Sequence, residues 1–108
     1  MKGIKTEEIK LGSGATAEKG KTIVIHYNGY LSRGDKFRSS YDEKEPVTFQ
    51  VGRRRMIAGL ERGVLGMKVG GVRRIRVSPH LAYGKKGIPG VVPPDAVLIF
   101  EVELLSVR

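Results

Sequence analysis

"VLIFEVELLSV", Val97 to Val107, carries Leu98, Phe100, Val102 and Leu104 on one side of an extended chain and Glu101 and Glu103 on the other. Side chains of a strand alternate between faces, so this period of two predicts a strand with one dry face and one wet face. A lone strand cannot bury such a face, and the rest of the chain supplies partners with the same pattern. "TIVIHYNGYL" (Thr22 to Leu31) sets Ile23, Ile25 and Tyr27 against Val24 and His26, and "VRRIRVS" turns Ile75 and Val77 inward with Arg74 and Arg76 outward. "IKTEEIKL" (Ile4 to Leu11) is a further strand, closed by the turn-rich "GSGATAEKGK". "FRSS" is a short strand interrupted by the polar "YDEKEP", after which "VTFQV" puts Val47, Phe49 and Val51 on one face.

One helix competes with these strands. "MIAGLERGVLGM" (Met56 to Met67) has Ile57, Leu60 and Val64 at i, i+3 and i+7, a single apolar stripe. Gly59 and Gly63 each cost such a helix roughly 1 kcal/mol relative to Ala, so packing must hold it. The pattern predicts an α+β fold: a largely antiparallel sheet, wet on one side, with a short helix covering the other.

At 108 residues the chain has the size of one domain with one core, expected to span residues 1–108. The absence of cysteine excludes disulfides, thiolate metal sites and cysteine nucleophiles. No apolar run is long enough to span a bilayer or serve as a signal peptide, which predicts a cytoplasmic protein with no membrane partner. Twenty Lys and Arg against eleven Asp and Glu leave +9, an attraction for anions that specifies no site. A chain of this size and charge is most simply a monomer.

Several chemical signals fail on context. "KGKT" (Lys19 to Thr22) resembles the end of a phosphate loop, but the leading glycine of that motif falls at Ala15 and a strand follows instead of a helix. His26 and His80 have no partner at ligand spacing, and Asp42, Glu43 and Glu45 have no acid–base partner, so neither metal nor general acid–base chemistry is expected. "GRRRM" (Gly52 to Met56) and "VRRIRV" are basic but lack the aromatic residues that stack bases, so no specific nucleic-acid site is expected.

What is left is "AYGKKGIPGVVPPDA", Ala82 to Ala96, rich in Gly and Pro yet holding Ile88, Val91 and Val92. A loop so stiffened by proline is rigid and superficial, and its aliphatic side chains must cover something. Apolar and aromatic residues gather at other turns and strand ends as well: Tyr27, Phe37, Met56, Ile57, Leu60, Tyr83 and Phe100.

Together with "VIHYNGYL", "GDKFRSS", "MIAGLERGVLGMKVGG" and "LIFEVELL", this loop makes the chain resemble, from end to end, the FKBP-type peptidyl-prolyl cis/trans isomerases, the macrolide-binding immunophilins. The resemblance implies a half-barrel of five or six antiparallel strands around one short helix, with an apolar pocket between them. It implies that Tyr27, Phe37, Val47, Met56, Ile57, Val92 and Phe100 line the pocket and that Leu60 forms its floor. Tyr83, through its hydroxyl, and Ile57, through its backbone N–H, would hold the carbonyls of a bound peptide. Ile88 and Val91 would roof the pocket and touch the substrate, not the core. Proline-containing peptides, folding proteins and macrolides are the implied partners, and no cofactor is needed.

Two positions depart from the family pattern. Arg38 and Glu43 stand where the family usually has an Asp and an Arg, which implies an ion pair of reversed polarity at the pocket edge. Leu60 replaces the usual Trp. Both leave open an alternative: a proline-peptide-binding or chaperone-like module of the same fold with weak turnover.

Overall fold

The computed structural model describes residues 3–108. Six strands and one α-helix follow in the order β1 (Ile4–Lys10), β2 (Thr22–Leu31), β3 (Lys36–Ser39), β4 (Val47–Gln50), α1 (Ala58–Gly63), β5 (Val72–Val77) and β6 (Leu98–Val107). All strand pairs are antiparallel, in the order β1-β5-β6-β2-β3. β4 pairs with the first half of β2, from Thr22 to Ile25, while β3 pairs with the second half, from Asn28 to Tyr30. The polar stretch after Ser39 therefore carries the chain along a single edge of β2 from one short partner to the next.

The expected alternation is the observed one. Ile23, Ile25, Tyr27 and Leu31 of β2 lie beside Leu98, Phe100, Val102 and Leu104 of β6 in one core, joined by Ile75 and Val77 of β5. On the outer face Arg74 bridges Glu7 of β1 at 3.0 Å and Glu101 of β6 at 2.9 Å, so part of the basic "VRRIRV" face is paired. Arg73 pairs with Glu8 and also donates to the carbonyls of Gly63 and Leu65 behind the helix, at 2.7 and 2.8 Å.

The helix is shorter than its apolar stripe predicts, running for six residues instead of twelve. Met56 lies in a bend and Ile57, at φ −58° and ψ 147°, precedes the helix in extended conformation, and Gly66, with φ +85°, turns the backbone out of it. Its two glycines have a tertiary reason. A Cβ on Gly59 would lie 2.2 Å from Val77 Cγ1, and one on Gly63 would lie 2.6 Å from Ile75 Cγ2. Glycine lets the helix backbone rest directly on β5, and Leu60 and Val64 are fully buried as a result.

Candidate functional site

At one end of the sheet, the helix N-terminus, β2, β3 and β6 enclose an open-sided cavity of about 400 Å³. β2 and β6 contribute Tyr27 and Phe100, β3 contributes Phe37 and Arg38, and the segment entering the helix contributes Arg54, Arg55, Met56, Ile57 and Leu60. Tyr83 closes one side from the turn after β5.

The aromatic wall is built on a glycine. Gly29 faces Phe100 across β2 and β6 and Arg38 across β2 and β3. A Cβ there would come within 3.0 Å of the Phe37 ring and 3.1 Å of Phe100, so the missing side chain is what admits both rings. Phe37 meets Phe100 edge-on at 6.0 Å between centroids, and Tyr27 meets it tilted at 5.9 Å. Such pairs favour tilted and edge-on geometry and hold each other's orientation. Tyr27 is fixed from behind by Ser40, whose hydroxyl accepts the Tyr27 N–H at 2.7 Å and stands 2.8 Å from His26 Nδ1. His26 also stacks on Tyr41 at 4.4 Å, a structural role.

Two residues that line the slot carry donors with unused hydrogen-bonding capacity. Among the described residues neither the N–H of Ile57 nor the hydroxyl of Tyr83 donates a hydrogen bond. The Ile57 carbonyl is engaged, accepting the N–H groups of Leu60 and Glu61 at 3.1 Å each, which pins the backbone that presents the free N–H. Burial raises the Tyr27 phenol above its ordinary range, and the neighbouring Arg38 guanidinium partly opposes that rise.

The remaining sequence candidates lie elsewhere. Val47 is half-buried on β4 opposite Ile25, packed against the core and outside the slot. Val92 is 3% exposed and belongs to the core, with Ile88 packed beside it, which corrects the expectation that the loop's aliphatics leave the core alone. Ile88 and Val92 exchange both backbone hydrogen bonds at 2.8 Å, and this tight turn folds Val92 back under the loop. Val91 at the tip is exposed and borders a separate groove with Pro89, Pro93 and Pro94. The reversed Arg38–Glu43 ion pair is likewise absent among the described residues. Lys36 takes the loop carboxylate, that of Asp42, at 2.7 Å, and Arg38 stands by Tyr27 instead.

Two features escape a reading of the sequence. Glu61, 7% exposed, accepts the N–H of Gly52 at 2.7 Å and of Met56 at 2.9 Å, so a helix side chain ties down the segment that carries Arg54 and Arg55. The basic run "GRRRM" marks those two arginines as charge, but not that the tie holds their segment beside the slot. The signal available was a glutamate one turn into a helix that follows a basic loop, which is ordinarily surface charge.

A short helix packed on a six-stranded antiparallel sheet, with an aromatic slot at its N-terminus, defines the immunophilin class of fold. The sequence profile of the FKBP-type peptidyl-prolyl cis-trans isomerases matches residues 13–105, and the chain belongs to that family. It is 46% identical over 107 residues to an FK506-binding protein of Neisseria meningitidis serogroup B, covering 99% of this chain and 98% of that one. It is 48% identical to the peptidyl-prolyl cis-trans isomerase FKBP1A of Xenopus laevis, covering 98% and 99% of the two chains. Among solved structures, AtFKBP13 superposes with a TM-score of 0.91 at 34% identity, covering 98% of this chain and 94% of that one. The N-terminal domain of FKBP42 from Arabidopsis thaliana superposes at 0.92 with 32% identity, covering 100% and 88%.

Proposed function

We propose that the slot takes up a proline ring and accelerates rotation about the peptide bond that precedes it. One observation carries this reading: an aromatic-walled cavity of about 400 Å³ is lined by two residues with unengaged donors, Ile57 through its N–H and Tyr83 through its O–H. That volume lies within the roughly 300–1,000 Å³ of small-ligand sites.

Rotation about an Xaa–Pro bond is opposed by amide resonance, a barrier of about 18–20 kcal/mol. The planar amide is polar and well hydrated, and the twisted amide has lost its resonance and much of that polarity. Moving the bond from water into the space between Tyr27, Phe37, Met56, Leu60 and Phe100 therefore disfavours the planar form more than the twisted one. In this reading the Ile57 N–H and Tyr83 O–H anchor peptide carbonyls while the bond turns, so no solvent must reorganise. An acceleration of four decades requires about 5.4 kcal/mol of differential stabilisation. Desolvation and two hydrogen bonds supply energies of that order.

The test is cis/trans exchange of a short Leu-Pro peptide measured by NMR with and without the protein. Exchange at the uncatalysed rate with stoichiometric protein would overturn the reading. A second reading, proline-peptide binding or chaperone action with weak turnover, is favoured by the aliphatic floor at Leu60 and by Arg38 beside the slot. Peptide-induced shifts at slot resonances without accelerated exchange would select it. Macrolides such as the one in the relatives' names belong to the same proposal, because the slot is apolar and its donors are free. Their binding is read by a ligand-dependent rise in melting temperature.

A further inference from the structure

We infer that the slot selects proline segments carrying an anionic side chain next to the proline. This rests on the isomerase reading above and specifies its substrate class. The slot's lining holds three cations, Arg38, Arg54 and Arg55, and no carboxylate. Among the described residues, none of the three has a carboxylate oxygen within 4.0 Å, although Arg33, Lys36, Arg73 and Arg74 are all paired. Among the described residues Arg53, Arg62 and Arg76 lack such a partner as well, so what sets Arg38, Arg54 and Arg55 apart is that all three line one cavity that holds no carboxylate.

Their placement is also held. Arg38 is fixed by strand pairing opposite Gly29. Arg54 sits in the left-handed region at φ 58°, which a non-glycine residue adopts only when its surroundings impose it. The surroundings here are the two hydrogen bonds from Gly52 and Met56 to the buried Glu61. Two separate elements, β3 and the Gly52–Met56 segment, therefore bring guanidinium groups to the same mouth. Guanidinium groups suit carboxylates, which they grip with two parallel hydrogen bonds. A carboxylate beside the proline would meet them while the ring occupies the apolar floor. A lysine there would meet three like charges, so selection combines attraction with repulsion.

The test uses the whole protein and Ala-Xaa-Pro-Yaa peptides with Leu, Glu or Lys placed before or after the proline, scored by kcat/KM for exchange and by affinity from chemical-shift titration. At low ionic strength the Glu peptide is expected to exceed the Lys peptide by about tenfold at one of the two positions, the size of two or three partly exposed ion pairs acting together. The ratio should fall toward one in high salt, because screening shortens from about 30 Å at 0.01 M to about 3 Å at 1 M. It should also fall in R38Q/R54Q/R55Q, and should persist in K10Q/K68Q/R76Q, which removes equal charge away from the slot. Glu and Lys peptides processed and bound alike, with the Leu peptide catalysed, would overturn the selectivity and leave the isomerase reading standing. A preference that survives in R38Q/R54Q/R55Q would overturn it too. If no peptide is catalysed, the affinity ratio decides the selectivity by itself, and absence of binding by every peptide overturns both.

Discussion

The carboxylate of Glu61 accepts the backbone N–H of Met56 at 2.9 Å, and its second oxygen accepts that of Gly52 at 2.7 Å. One side chain of a six-residue helix thereby closes the loop that lines half the slot mouth. Replacing it tests whether the loop's shape matters. Glu61→Ala leaves both N–H groups without acceptors and should cost about 1–3 kcal/mol in denaturant unfolding. Glu61→Gln keeps one acceptor oxygen and should cost less. Both should lower kcat/KM on a Leu-Pro peptide in the same order, and equal activity in all three proteins would show the tie to be irrelevant to the site.

Gly29→Ala tests the aromatic wall. The new methyl would press on Phe37 at 3.0 Å and on Phe100 at 3.1 Å, and the rings have to give way. Overpacking of this kind costs about 1–3 kcal/mol. The expected result is a displaced set of Phe37 and Phe100 ring resonances and a weaker grip on proline peptides. Unchanged ring shifts would contradict the close approach.

Gly59→Ala sets two effects against each other. Helix propensity favours the alanine by roughly 1 kcal/mol. The added Cβ would stand 2.2 Å from Val77 Cγ1, and Val77 is completely buried, so it has nowhere to move. Packing wins, and the variant should unfold at lower denaturant than the parent. A more stable variant would mean that the helix does not rest on β5 as closely as described.

The Tyr41 phenol is pushed up to about 12 by partial burial and by its 2.7 Å hydrogen bond to the Glu103 carboxylate. A phenol whose folded value exceeds its unfolded one stabilises the fold fully below the unfolded value, near 10. That contribution is lost as pH climbs from about 10 through 12. Ultraviolet titration should find Tyr41 ionising late alongside the buried Tyr27, and Tyr41→Phe should remove one late-ionising phenol and flatten the alkaline loss of stability. A Tyr41 that ionises near 10 would contradict the contact.

The strands were legible because burial alternates residue by residue, and each residue reports its own face: Leu98, Phe100, Val102 and Leu104 inward, Glu101 and Glu103 outward. The extent of the helix was not, because the stripe through Val64 continues past the point where Gly66 turns the chain. Only the neighbouring strand explains Gly59 and Gly63. In the slot, residues such as Phe37, Met56 and Tyr83 could be singled out as apolar groups at turns, where burial is not otherwise expected. Val92 looked like such a residue, but a two-hydrogen-bond turn with Ile88 folds it inward. Arg54 and Arg55 show in the sequence only as part of a basic run and Glu61 only as one more charge, because what makes them matter is a contact between a loop and the helix that follows it.

The position of β6 between β5 and β2 has a consequence for synthesis on the ribosome. The two strands that flank it emerge first and cannot pair with each other, so each keeps an unsatisfied edge until Leu98–Val107 arrives. The nascent chain thus holds these apolar faces uncovered until β6 is made, and its ten residues act as the keystone whose insertion commits the molecule. Premature termination before Phe100 would release a polypeptide with two open templates for aggregation and no means of closing them.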